Sequence, residues 1–133
     1  MEIIHILTRK HELYDITDDV REVVKKSGIK EGLCLVYTPH STAGVLIACG
    51  IDPNALVDVE HLIRKLVPID SPFMHTCDPV TDAAGHLKSI LINAQQTFPV
   101  SNGEIMLGSS QEIYFFEFDG PRDRLVYIQV VGE

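Results

Sequence analysis

A chain of 133 residues is the size of one domain, so residues 1–133 are read as a single unit. At 45% hydrophobic and 23% charged it is ordinary globular material, able to bury a core without disulfide staples. A formal charge of −8, with no basic run, argues against a nucleic-acid-binding surface, although Lys88 and Arg122 can make a pocket locally positive. Cys34, Cys49 and Cys77 are odd in number and contain no Cys-x-x-Cys pair, and the first two sit in apolar runs, so a disulfide scaffold is not expected. The start, Glu2-Ile3-Ile4-His5-Ile6-Leu7, has no basic segment, and no apolar run is long enough to span a bilayer. A reducing cytoplasmic location with no membrane partner is the expectation.

In chain order, Glu2 to Arg9 reads as a strand. Asp15 to Lys26 predicts an amphipathic helix, with Ile16, Val20, Val23 and Val24 on one face. Acids open it, Lys25 and Lys26 close it, and Gly28 is placed to terminate it. Leu33 to Thr38 and Gly44 to Cys49 are strands joined by a Pro39-His40-Ser41 loop. Asp52-Pro53 is an N-cap followed by proline at the first helical position; Leu56, Val59, Ile63 and Leu66 continue the stripe, and Pro68 stops it. Ile69 to Gly85 reads as a long loop, which in a small domain points to function, and His86 to Leu91 as a short helix. Strands follow at Thr97 to Val100, Glu104 to Leu107, Glu112 to Phe118 and Arg124 to Val131, with a tight Ser101-Asn102-Gly103 turn after the first. The sum is α+β: a compact single domain with a mostly antiparallel or mixed β-sheet and two to three helices.

Three histidines stand among small, polar or turn-forming residues: His40 in Thr38-Pro39-His40-Ser41-Thr42-Ala43-Gly44, His75 in Phe73-Met74-His75-Thr76-Cys77-Asp78, and His86 in Gly85-His86-Leu87-Lys88-Ser89. Imidazoles brought from separate loops build either a metal site or an acid–base cluster. Three of them match the count of a catalytic transition-metal site that keeps one position open for water. The alternative is loop histidines bonded to nearby carbonyls, and none of the spacings is that of a structural zinc finger. Cys77 or Asp78 could complete a shell, and Asp82 could cap the helix bearing His86. On a helix starting near Gly85, Lys88 falls in the first turn, where backbone donors favour anions; by itself it reads as a solvated lysine. Ser41 and Thr42 could donate to the same anion or act as loop caps. Arg122 could clamp a phosphate, or pair with Glu117 or Asp119 and hold the Gly120-Pro121 turn. His5, His11 and His61 read as irrelevant to a site.

These blocks also carry a family resemblance. Thr38-Pro39-His40-Ser41-Thr42-Ala43-Gly44, His86-Leu87-Lys88-Ser89, Pro99-Val100 with Asn102-Gly103, Leu107-Gly108 with Gln111, and Glu117 with Asp119-Gly120-Pro121-Arg122 resemble the YjbQ-like family from about Gly32 to the C-terminus. The family is described as secondary thiamine-phosphate synthases with a compact α+β fold and a trimeric assembly. The resemblance implies a reaction that joins a pyrimidine diphosphate to a thiazole phosphate and releases pyrophosphate. It implies a phosphorylated metabolite as ligand, and catalytic or metal-ligating roles for His40, His75 and His86 with a divalent ion of the zinc or magnesium class. Ser41, Thr42, Lys88, Glu117 and Arg122 become substrate-binding candidates, and a homotrimer is expected. Two departures stand out: Ala48-Cys49 replace the Asn-Glu that members often carry, and Ser110 replaces the Trp that often precedes the Gln of the Leu-Gly block. They leave room for a non-catalytic metal- or phosphometabolite-binding protein.

Overall fold

The structure, a computed structural model, describes residues 1–76 and 80–133. The order of elements is β1 (Glu2–Leu7), β2 (Leu13–Asp15), α1 (Thr17–Ser27), β3 (Gly32–Tyr37), β4 (Ala43–Cys49), α2 (Pro53–Leu66), α3 (Val80–Ile92), β5 (Gln95–Ser101), β6 (Glu104–Ile105), β7 (Gln111–Glu117) and β8 (Asp123–Gly132). Two antiparallel sheets result, one of five strands in the order β1-β8-β3-β5-β6 and one of three in the order β2-β7-β4. The α+β reading holds, and none of the described helices is long and apolar enough to cross a membrane.

Strand alternation decides how the layers stack. Cys34, Val36, Phe98, Val100, Val126 and Ile128 of the large sheet face Val45, Ile113 and Phe115 of the small one, and Ile16, Val20 and Val24 of α1 seal that core. The other face of the small sheet carries Leu46, Tyr114 and Phe116, covered by Leu56, Val59 and Ile63 of α2 and Ile92 of α3. The helix ends follow local chemistry. Asp15 accepts from the Thr17 amide at 2.9 Å, and Gly28, at φ 72°, closes α1 in the left-handed region. Asp52 caps α2 through the Asn54 amide at 2.9 Å. Asn102 and Gly103 hold φ 52° and 77°, the backbone that a two-residue β5–β6 hairpin demands.

The structure corrects the sequence reading at α3. This helix begins at Val80, inside the segment read as loop, and runs past Leu91 to Ile92. Large apolar residues are not what docks it. Gly85 lies so close to Thr42 that an added Cβ would stand 3.3 Å from that side chain, and Ser89 donates to the Ala43 carbonyl at 2.7 Å. A close-packed face of Ala84, Gly85 and Ser89 gives no hydrophobic stripe to read. β2, only three residues long, is likewise too short to leave an alternating pattern in the sequence.

One ion pair crosses the interior. Glu117, at the end of β7, and Arg124, at the start of β8, are both buried and bonded through both carboxylate oxygens. The Thr8 hydroxyl and the Asp119 amide also donate to Glu117, and Arg124 reaches the Thr42 hydroxyl at 2.8 Å. Burial pushes the Glu117 carboxyl up, but the Arg124 and Thr8 hydrogen bonds, the Asp119 amide and the Arg124 charge outweigh it, leaving the group below its ordinary value. A depressed folded-state value means the stabilisation is complete above the ordinary carboxylate value of 4.5 and is lost as pH falls through the lower folded one. Arg124→Met should therefore cost roughly 3–5 kcal/mol in urea unfolding at neutral pH, because it strands a buried carboxylate. The double variant Glu117→Leu/Arg124→Met should recover much of that loss. A single variant within about 1 kcal/mol of wild type would show that the pair is dispensable.

Candidate functional site

The first turns of α3 carry Asp82 and, one turn later, His86, so both side chains lie on one helix face. The segment between α2 and α3 brings His75 over that face. The Nε2 atoms of His75 and His86 stand 2.6 and 2.9 Å from the same Asp82 oxygen, Oδ2. The two rings meet edge to face, with centroids 5.2 Å apart. Asp82 is buried, whereas the imidazole side chains are 39% and 38% exposed, so the carboxylate forms the floor and the rings the rim. Beside them lies a cavity of about 360 Å³ lined by Phe73, Met74, His75, Ala83, His86 and Leu87.

One ligand atom from each of His75, Asp82 and His86 lies within 4.8 Å of the others, the only such group among the described residues. Two imidazole nitrogens and a carboxylate oxygen facing one point fit a zinc-type divalent ion better than magnesium, which prefers oxygen ligands. Without an ion, N–H donation to Oδ2 accounts for the same distances.

Arg122 flanks this centre. Its Nε and Nη2 donate to Asp119 Oδ2 at 3.0 and 2.8 Å, while Asp119 Oδ1 accepts from the Thr81 hydroxyl at 2.5 Å. The Asp119 hydrogen bond and charge hold the guanidinium firmly protonated, with Asp82 adding to the effect. At 48% exposure the Arg122 side chain keeps donors free for a ligand. The Asp119–Thr81 bond ties the β7–β8 turn to the start of α3.

The other residues singled out from the sequence lie elsewhere. His40 is not in the His75–Asp82–His86 group; its Nε2 accepts from the Leu125 amide at 2.9 Å and fastens the β3–β4 turn to β8. Burial, followed by the Arg124 charge, lowers its pKa, which keeps the imidazole neutral as an acceptor. The Thr42 hydroxyl is buried and engaged by Arg124, and Ser41 is exposed beside it. Glu117 is sealed in its pair with Arg124. Lys88 stands roughly two turns inside α3 instead of in a first turn, and about 200° around the helix from His86, so it faces the sheet and not the centre. Cys77 and Asp78 lie outside the described residues.

Two residues carry more than the sequence reading gave them. The sequence offers Asp82 as a helix cap, yet its spacing of four from His86 places both on one face. Arg124 stands in no sequence motif, yet strand alternation turns it inward with Val126 and Ile128.

An α+β protein with a histidine–carboxylate centre on a helix laid over its smaller sheet is the class that fold and site define. The model of the family described as UPF0047 protein YjbQ-like matches residues 2–133, and the chain belongs to that family. It is 39% identical over 125 residues to the UPF0047 protein YugU of Bacillus subtilis, covering 94% of this chain and 93% of that one. It is 36% identical over 125 residues to a UPF0047 protein of Methanocaldococcus jannaschii, covering 94% and 88%. A crystal structure of a YbjQ-like protein from Sulfolobus solfataricus superimposes with a TM-score of 0.93 at 33% identity, covering 99% of this chain and 96% of that one.

Zinc titrated into untagged protein should bind with one ion per chain. His86→Ala should weaken that binding by more than about tenfold, as loss of a ligand does, and His40→Ala should leave it unchanged. Equal affinity in wild type and His86→Ala, measured by competition with a chromophoric chelator, would exclude this centre.

Proposed function

We propose that the chain is a small cytoplasmic enzyme acting on phosphorylated metabolites at the His75–Asp82–His86 centre. Its reaction class is that implied by the YjbQ-like resemblance: joining a pyrimidine diphosphate to a thiazole phosphate. The observation that carries the reading is the convergence of two imidazole Nε2 atoms on one buried carboxylate oxygen, beside a cavity and the exposed Arg122. In that reaction the bond from the pyrimidine methylene carbon to the diphosphate oxygen breaks, its electron pair leaves with pyrophosphate, and the thiazole nitrogen forms the new carbon–nitrogen bond. The barrier lies in charge gathering on the leaving group. Arg122, held in orientation by Asp119, supplies two-pronged donors to a diphosphate oxygen. Asp82 orients both imidazoles through their Nε2 atoms and so holds the two rings at the rim of the cavity. A divalent ion held by these three residues would add positive charge against the leaving diphosphate. The free thiols of Cys34 and Cys49 suit the reducing cytoplasm.

A second reading, a non-catalytic metal- or phosphometabolite-binding protein, is favoured by Ala48-Cys49 and Ser110 at the departures from the family pattern. Turnover with the two precursors separates the readings. Wild type should release pyrophosphate, Asp82→Ala should lower kcat by about 100-fold or more, and Arg122→Ala should mainly raise KM. Metal-loaded wild type that binds the diphosphate without turnover would select the binding protein.

The assembly we propose is a homotrimer. The outer face of the large sheet exposes Ile3, Leu33, Leu35, Tyr37 and Val131, and register places these side chains on one surface. Apolar strand faces of this kind are commonly buried between subunits. Light scattering should report three chains per particle at micromolar concentration, and Leu35→Glu should shift it towards the monomer. A wild-type monomer under those conditions would remove the proposal.

A further inference from the structure

We propose that the cleft between the C-terminal half of α1 and the β5–β6 hairpin is a second binding site, taking a small organic carboxylate, and most tightly one with two carboxylates on an apolar body. The site stands apart from the His75–Asp82–His86 centre and does not depend on the reaction proposed above.

The first observation is the cavity itself. It holds about 510 Å³, a volume typical of small-molecule pockets, and shares no lining residue with the cavity beside the histidines. Three segments wall it: α1, residues 28–30 that lead from it to β3, and residues 102–105 of the hairpin. Its apolar surface comes from Val24, which is buried, and from Ile29 and Ile105, which are half-buried. Two of the walls are fastened to each other, since the Gly103 amide donates to the Lys30 carbonyl at 3.1 Å. At Gly103, with φ 77°, an added Cβ would stand 3.4 Å from both Cδ and Nζ of Lys30. The lysine therefore lies along the turn with its ammonium beside the glycine. At Gly28 an added Cβ would meet nothing within 4 Å, so the cleft is open on that side.

The second observation is the charge around this cavity. Arg21 and Lys25 stand four apart on α1, a like-charge spacing that costs a helix free energy, and Lys30 adds a third cation. Glu104 is the one acid among the lining residues. The acids close to these cations in sequence are turned elsewhere. Glu22, three residues before Lys25, reaches Lys26 at 4.0 Å. Glu31, next to Lys30, accepts from the Ser101 hydroxyl and the Asn102 amide at 3.0 and 3.1 Å. Arg21 meets Asp18 at 3.4 Å across side chains that are 53% and 98% exposed, a pair of little strength. Among the described residues no carboxylate pairs with the Lys25 or Lys30 ammonium. The negative end of the α1 dipole accounts for Lys25, but not for Arg21 a turn earlier or for Lys30 beyond the helix. In a chain of net charge −8 the cleft thus gathers an excess of cations around an apolar surface. Guanidinium and ammonium groups both bond carboxylates, and cations from two walls can meet two carboxylates at once. The apolar surface takes a hydrocarbon or aromatic body, which a bare inorganic anion does not supply.

Calorimetry on the full chain at low, constant ionic strength, with phthalate, benzoate, benzyl alcohol and inorganic phosphate as titrants, tests the site. Phthalate should bind most tightly and benzoate less so, with benzyl alcohol and phosphate at least about tenfold weaker than phthalate. The double variant Lys25→Gln/Lys30→Gln should weaken phthalate binding by about tenfold or more, and Ile29→Ala by about threefold. His86→Ala should leave it unchanged. Both lysines are exposed, so the double variant should keep the circular dichroism of wild type. No phthalate binding to wild type overturns the proposal, as does equal affinity in wild type and the double variant. Phosphate bound as tightly as phthalate would reduce the cleft to an unspecific cationic patch and overturn it. An equal loss in His86→Ala and the lysine variant places the carboxylate at the histidine centre and overturns it too. Poly-glutamate bound more tightly than phthalate, and lost in the lysine variant, would make the cleft a groove for an acidic chain and overturn the small-molecule assignment.

Discussion

The buried pair of Glu117 and Arg124 is the constraint from which the placement of the site follows. It joins the last residue of β7 to the second residue of β8, strands that belong to different sheets, and it draws in Thr8 from the end of β1 and Thr42 from the start of β4. A charge pair this deep is not a gain over apolar packing, but removing one partner is costly, so its members are locked into a single arrangement. That arrangement fixes the β7–β8 turn, where the Asp119 backbone amide donates to Glu117 Oε2 and Asp119 Oδ1 accepts from the Thr81 hydroxyl. Thr81 adjoins Asp82. A chain of bonds thus runs from the interior to the floor of the candidate centre.

The same anchoring gives α3 its two chemical faces. Held close to the small sheet at Gly85 and Ser89, the helix cannot rotate without breaking either contact. Asp82 and His86 are thereby turned towards His75 and the cavity, while Lys88 is buried on the face turned to the small sheet. Lys88, two residues on from His86 and about 200° around the helix from it, lies in the covered layer, whereas Asp82 and His86, four apart, share the face that meets His75.

Elements set by local chemistry were legible in the sequence. The Asp52-Pro53 start of α2, the Gly28 end of α1 and the Asn102-Gly103 hairpin each depend on residues at fixed offsets, and each formed where those residues stand. The N-terminal half of α3 was not legible, because Thr81, Ala84 and Gly85 are held by tertiary contacts with Asp119, Thr42 and Phe118 and leave no periodic apolar signal. For the site, residue type pointed to histidines, but only the fold separates an imidazole that shares a carboxylate, as His75 and His86 do, from one that accepts a backbone amide, as His40 does. Arg122 and Arg124 show the same limit. Two residues apart, one is half-exposed on Asp119 and the other buried on Glu117, a difference that strand alternation predicts once β8 is known to have one face in the core.

The account depends on His75, Asp82 and His86 acting as one centre. A crystal of the untagged protein equilibrated with zinc, with diffraction recorded on both sides of the zinc absorption edge, tests this most directly. The account predicts a single strong anomalous peak per chain, within about 2.0–2.2 Å of the two imidazole Nε2 atoms and Asp82 Oδ2. A peak at His40, or no peak between His75 and His86, would contradict it.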